Sequence, residues 1–320
     1  MQIKKTVLTL LIIALFFGGL AIYTNRVNKQ VEQPVITEST EKYEEAAPYR
    51  ETKQNIRVLP EEYQVYGEDG VMYLKYLFDS KARESIYGKM GDIGLSPYRE
   101  LRVEPDGTET PYLNHLYDYD NDGNIIKEQI QWLDSEDPTV ISSVQQNTYT
   151  YNDRGKMTSM IASTLNENQV FKAQYSDSFI YDENGLLEKI LHYDGDYVSH
   201  YFRCTCNTNG DPVLMEEYSP DDIYMGKKEM TYAEDGQILT YKETTESGGP
   251  VMAMEYVYDS SDYLREIIQT DYSGWTETDD NGNVSVIRDE YVNTIVVVYP
   301  EGTKLGEYSP SFSQENSEVE

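Results

Sequence analysis

The 320-residue chain is poor in most of the side chains that carry concentrated chemistry. Its two cysteines, Cys204 and Cys206, are too few for a disulfide scaffold or a thiolate zinc cluster. Three histidines, His115, His192 and His200, leave little for a histidine-rich metal centre. Basic residues are scarce: 26 Lys and Arg stand against 57 Asp and Glu, a formal net charge of −31. A face that tracks nucleic-acid phosphates needs the opposite balance, so no nucleic-acid partner is expected. No glycine-rich phosphate loop and no Gly-x-Ser-x-Gly elbow is present. The motifs therefore assign no catalytic residue, no cofactor and no metal ligand. Tyrosine is the abundant exception, with 30 residues against 7 Phe and 2 Trp.

The one long apolar run, Val7 to Tyr23, follows Lys4 and Lys5. Its length fits a short spanning helix or a long signal-peptide core, and the lysines would stay on the cytoplasmic side. No cysteine follows it, which excludes lipid attachment at a lipobox. Ile22 and Tyr23 extend the apolar block past a cleavage site after Ala21, so an uncleaved anchor is the preferred reading of residues 1–24 and a cleaved signal the alternative. Residues 25–60 read as an acidic flexible spacer, because Gln33 to Pro48 is rich in Glu, Thr, Ser and Pro with no apolar period. Residues 306–320 read as a disordered acidic tail. The expected location is extracytoplasmic, membrane-anchored at the cell surface, or secreted if the leader is cleaved.

Residues 61–305 read as one all-β domain. Tyr119-Asp120-Asn121-Asp122-Gly123-Asn124-Ile125 recurs from Tyr151, Tyr181 and Tyr232, with weaker copies from Cys206 and Tyr258. The turn glycine or its substitute falls at 123, 155, 185, 210, 236 and 262, a spacing that holds two strands and two turns. Asn-Gly and Asp-Gly pairs tolerate the positive φ of a tight reversal, and aromatic residues lead in at period two, as at Tyr117 and Tyr119. Further turns are expected at Pro105-Asp106-Gly107, Tyr193–Tyr197 and Tyr272–Trp275, and a short helix is possible within Ser80–Gly94. The predicted fold is a twisted antiparallel meander of β-hairpin repeats. Tyrosine rings would cover its face and leave their hydroxyls in water.

The Tyr-Asp-x-x-Gly-x-(Leu/Ile) pattern, with a second aromatic two residues upstream, resembles the YD repeat of Rhs-type cell-surface proteins over about residues 112–272. The arginine that follows the turn glycine in that family is replaced here by Asn124, Lys156, Leu186 and Gln237. The resemblance implies surface display and contact with a glycan or protein. With only some six units against that family's long arrays, a complete shell around a cargo is not expected.

Asp118, Asp120 and Asp122 ahead of Gly123 match the opening of a calcium loop, but Gln129 stands where a bidentate Glu is expected, and the sister turns lack the alternation. An acidic hairpin turn is the simpler reading. Cys204 and Cys206 occupy the two aromatic positions of their unit, about 6.5 Å apart on one strand face, near the upper limit for a disulfide. His192 and His200 flank a turn and are expected as a surface pair meeting across a hairpin. Trp132 and Trp275 are candidate exposed binding rings. The expected role is a membrane-tethered binding or structural module for a glycan or protein, and the alternative is an exported hydrolase using paired carboxylates.

Overall fold

A computed structural model describes residues 58–83, 94–278 and 284–311, with the side chains of 273–289 left aside. The apolar leader, most of the spacer, much of Ser80–Gly94 and the Trp275 side chain lie outside these residues. Sixteen strands run in chain order: β1 Glu62–Tyr66, β2 Met72–Leu77, β3 Arg99–Val103, β4 Glu109–Tyr119, β5 Ile125–Leu133, β6 Ile141–Tyr151, β7 Met157–Leu165 and β8 Phe171–Tyr181. They continue as β9 Leu187–Asp194, β10 Tyr197–Cys206, β11 Pro212–Tyr218, β12 Tyr224–Tyr232, β13 Ile238–Thr245, β14 Pro250–Tyr258, β15 Leu264–Thr278 and β16 Val284–Val298. Each pairs antiparallel with the next, and β1 also pairs with β16 (Val65 opposite Ile295), so the sheet closes into a barrel. The region before residue 112 joins the same sheet as β1–β3. The expected antiparallel meander of hairpins is present, and its closure, which the sequence left open, is decided: sixteen consecutive strands bring the first back to the last, so among the described residues neither β1 nor β16 is left as an edge.

Antiparallel alternation places all the Tyr-Asp turns on one rim. Each is built alike. The amide after the motif tyrosine donates to the carbonyl four residues on, as Asp120 does to Asn124 (3.0 Å) and Asp182 to Leu186 (2.9 Å). In five of the six copies an Asp or Asn at that position accepts from the turn's own amides: Asp120 Oδ1 from Asp122 (2.9 Å) and Asn124 (2.8 Å), Asn152 Oδ1 from Arg154 and Lys156 (both 3.0 Å). The other has Ala233 there, and Asp235 Oδ1 accepts from Gln237 N (3.2 Å). This is why Asp and Asn recur there. The fourth residue sits at positive φ, +85° at Gly123, and in the sixth copy Asp262 adopts +63° without a glycine. A register shift precedes every motif residue, between Asp118 and Tyr119, Thr150 and Tyr151, and so on to Val257 and Tyr258, a bulge repeated six times.

The bulge explains the tyrosine. Between successive hairpins the backbone ladder begins at Lys127, Ser159, Lys189, Leu214, Thr240 and Glu266. Each time, the residue two places earlier lies beyond the ladder, and its carbonyl is met by the motif side chain of the next strand or, in the last case, by Tyr299 just after β16. Tyr151 donates its hydroxyl to Ile125 O (2.8 Å), Tyr181 to Met157 O (2.8 Å), Tyr232 to Pro212 O (2.9 Å), Tyr258 to Ile238 O (3.0 Å) and Tyr299 to Leu264 O (3.0 Å). Cys206 fills the place with Sγ 3.5 Å from Leu187 O. The motif hydroxyls are thus not left in water, as the sequence suggests. They fasten one hairpin to the next, because a carbonyl at the end of a ladder on a packed face needs a donor.

Side chains alternate between a packed inner and a solvated outer face. On β14 Met252, Met254 and Tyr256 are buried, between exposed Val251 and Glu255. The inner cluster includes Tyr63, Leu74, Met160, Phe179, Ile190, Met215, Met230, Tyr241, Ile267 and Ile295, and both cysteines pack against it, free of any disulfide. Only glycine fits at position 226 on β12, where an added Cβ would collide with the carbonyl oxygen of Thr244 on β13. The stretch Tyr272–Trp275, expected to turn, continues β15, with Gly274 opposite Arg288; a lone Ser-Gly lacks the Asn/Asp-Gly chemistry that reverses the chain elsewhere. Residues 306–311 are attached rather than loose: Gly306 N donates to Asp259 Oδ2 (2.9 Å), Glu307 N to Ser260 Oγ (2.9 Å) and Ser311 N to Glu266 Oε2 (3.0 Å).

Candidate functional site

Two clusters that contain histidine stand among the polar side chains of the inner face. In the middle of the β3–β6 wall, buried His115 stands between two carboxylates, with Nε2 3.0 Å from Glu100 and Nδ1 3.0 Å from Glu128. Glu128 also accepts from Tyr149 (3.0 Å) and Asn147 (3.0 Å), and lies 3.2 Å from the Tyr117 hydroxyl. Burial alone would disfavour the imidazolium, but the hydrogen bonds and charges of Glu100 and Glu128 outweigh it and raise the His115 pKa to about 9. Burial would likewise raise Glu128, and the bonds from His115, Asn147 and Tyr149 reverse that and hold it below the usual carboxylate range. His115 is a charged, fully partnered group inside the wall.

The second cluster lies near the rim opposite the Tyr-Asp turns. His192 is two residues from the end of β9, His200 three from the start of β10, Glu217 one from the end of β11 and Glu243 two from the end of β13. Each shares its strand face with core residues or with residues packed on the core: Ile190, Phe202, Met215 and Tyr241. His200 pairs directly with His192, and the rings stack with centroids 4.5 Å apart. His192 Nδ1 is 2.6 Å from Asp177 Oδ1, and His200 Nε2 is 4.0 Å from Glu217 Oε1. Lys228 reaches Glu243 at 3.6 Å, and Glu243 accepts the Tyr241 hydroxyl at 2.8 Å. Tyr175 and Phe202 flank the histidines at 5.2 and 5.6 Å between ring centroids. Burial, then the neighbouring His192, pushes the His200 pKa down to about 4. Burial raises Glu217, and the charge of Glu243 adds to the rise against the pull of Lys228.

The histidines therefore do meet across the β9–β10 hairpin, but on the inner face and with acidic partners, not as an isolated surface pair. The residues that sequence reasoning missed are Asp177, Glu217, Glu243, Glu100 and Glu128. Among 57 acidic residues the one signal of Asp177, Glu128, Glu217 and Glu243 is strand phase: each lies two residues from a buried apolar side chain, as Asp177 does from Phe179, whereas Glu100 precedes a bulge and shows no such signal. The three aspartates of the calcium-like stretch do not converge. Asp118 pairs with Lys127 across the strand and Asp120 is engaged by its own turn, its pKa held down by Asn124 and the turn amides. Trp132 is half-buried on β5. At the same far rim a polar recess of about 280 Å³ is lined by Arg102, Glu104, Thr110, Tyr112, Asp134 and Ser142, with the Arg102 guanidinium 4.0 Å over the Tyr112 ring.

No family model matches the chain, and no curated protein matches it. Among solved structures it is similar to a porin-like protein from Bacteroides uniformis, with a TM-score of 0.39 and 11% identity over 74% of this chain and 97% of that one. It is also similar to part of a TcdB2–TccC3–Cdc42 complex, with a TM-score of 0.24 and 10% identity over 73% of this chain and 16% of that one. A Tc holotoxin pore of Photorhabdus luminescens gives a TM-score of 0.20 and 9% identity, covering 71% and 15%. The chain spans about a sixth of the Tc chains it matches. Likeness at these levels carries no assignment.

Proposed function

We propose that the chain is a membrane-tethered, extracytoplasmic β-barrel that binds a glycan or a protein side chain at the rim opposite its Tyr-Asp turns. The observation that carries this reading is the far-rim cluster. There His192, His200, Glu217, Lys228 and Glu243 offer donors and acceptors beside the rings of Tyr175 and Phe202, the mixture that orients a polyhydroxylated or peptide ligand. Strand positions on the outer face carry Glu216, Lys227, Glu229, Lys242 and Glu255, so the wall suits water, the reverse of a lipid-facing barrel. Membrane contact is assigned to Val7–Tyr23, with residues 25–60 as the tether. The repeated Tyr-Asp turn with its ladder of tyrosines supports kinship with YD-repeat proteins of the Rhs type, for which surface display is the expected setting.

A glycan array and a cell-envelope pulldown with the full chain in detergent test the binding role. Retention that falls at least tenfold in Glu217→Gln/Glu243→Gln supports it, and no retention by the unaltered chain contradicts it. A second reading, an exported hydrolase, rests on Glu217, whose raised pKa beside the charged Glu243 is the environment of a general acid. Release of new reducing ends or peptide termini, abolished by Glu217→Gln, would favour it over simple binding.

A further inference from the structure

We propose that His192, His200 and Glu217 form a binding site for one divalent transition-metal ion of the zinc, nickel or copper type. The inference is independent of the glycan or protein reading above. Two of the chain's three histidines are brought together here from neighbouring strands, in direct register. Their hydrogen bonds leave the same nitrogen of each ring available. His192 Nδ1 is held by Asp177 Oδ1 at 2.6 Å. Ser199 Oγ lies 3.0 Å from His200 Nδ1 and 3.4 Å from His192 O, so its oxygen can accept from Nδ1 while its proton turns to the carbonyl. In the tautomer with the proton on Nδ1, each ring presents an Nε2 lone pair.

Glu217 supplies the third donor, 4.0 Å from His200 Nε2. Lys228, which would otherwise compete for that carboxylate, is drawn to Glu243. The side chains of His192, His200 and Glu217 are 23%, 26% and 25% exposed, so an ion has a path from solvent. Two imidazoles and a carboxylate suit zinc, copper or nickel rather than calcium or magnesium, and three protein ligands leave one position for water or a ligand. Asp177 behind His192 is the carboxylate that fixes a ligating ring and strengthens its basicity. Among the described residues no three such donors already converge on a point. Tetrahedral zinc needs its donors about 3.3 Å apart, so binding draws Glu217 and His200 together by well under 1 Å and unstacks the rings.

The test is calorimetric titration of the full chain in detergent with Ni²⁺ and Zn²⁺, paired with the electron paramagnetic resonance spectrum of the Cu²⁺ form. The expected result is one saturable ion per chain with a two-nitrogen hyperfine pattern. Affinity should fall at least tenfold in His192→Gln and in His200→Gln, and roughly tenfold in Asp177→Asn. Glu217→Gln, a near-isosteric change, should weaken binding while the metal-free thermal midpoint holds, which covers the case of a histidine variant that fails to fold. An oxygen-only copper spectrum, or affinity unchanged in the histidine variants, would overturn the site.

Discussion

The two rims of the barrel are built on opposite principles. At the Tyr-Asp rim the motif's polar groups are consumed by structure: aspartates such as Asp120 and Asp182 by their own turns, the hydroxyls of Tyr151, Tyr181, Tyr232 and Tyr258 by carbonyls of the preceding hairpin. At the far rim the turns vary in length and chemistry, and the inner face carries groups held less tightly, with Glu217 and His200 4.0 Å apart and about a quarter exposed. A repeated solution to a backbone problem marks a region devoted to the fold. Partly solvated charges with shifted pKa values, such as His200 and Glu217, mark a region free to do something else.

Within the wall, His115 is buried between Glu100 and Glu128, and its removal is the severest test of the contrast. His115→Ala leaves Glu100 and Glu128 buried without their shared cation and is expected to cost about 3–5 kcal/mol, read from the urea midpoint. The same group predicts a pH dependence. Its folded pKa of about 9 lies above the unfolded value near 6.5, so its contribution is full below pH 6.5 and is lost as pH rises toward 9. Acid acts through other groups. His200, depressed to about 4, favours folding above pH 6.5 and loses that contribution as pH falls toward 4, and Glu128 adds to the loss at lower pH. Thermal midpoints should therefore peak near pH 6.5–7, and His115→Ala should abolish the alkaline decline but keep the acid one.

Next in size are the tyrosines of the first rim. Tyr151→Phe, Tyr181→Phe and Tyr232→Phe each remove the donor to a ladder-end carbonyl while keeping the ring, and each is expected to cost about 1 kcal/mol. Cys206→Ala removes only a long sulfur contact and should cost less. Equal losses at all four positions would break the account of the motif. Smallest is Glu217→Gln at the far rim: stability within about 0.5 kcal/mol of the parent, since the carboxylate is held there against burial.

Much of the first rim was legible in the sequence and little of the second. The turn pattern located six reversals because Asp or Asn followed by Gly, present in four of them, has one local purpose, and the repeat register put Cys204 and Cys206 together on one strand face. Closure was not legible: whether a meander curls back depends on accumulated twist and strand number, and β1–β3 and β16 lack the motif in full. The hydroxyls of Tyr151 and Tyr181 looked solvated because their acceptors lie 26 and 24 residues earlier. The far-rim cluster draws Asp177, His192, His200 and Glu217 from four strands, and nothing in their separate neighbourhoods announces the meeting.

The central claim is that the hairpin repeats close into a ring through β1 and β16. In the double variant Gln64→Cys/Val296→Cys, which changes residues directly opposite each other on those strands, mild oxidation of the dilute full chain measures that closure. The account predicts a rapid intramolecular disulfide in the folded protein that disappears when the chain is unfolded in urea first. Cross-linking only between molecules, or none, would mean that the sheet is open and that the interior sites built upon its closure do not exist.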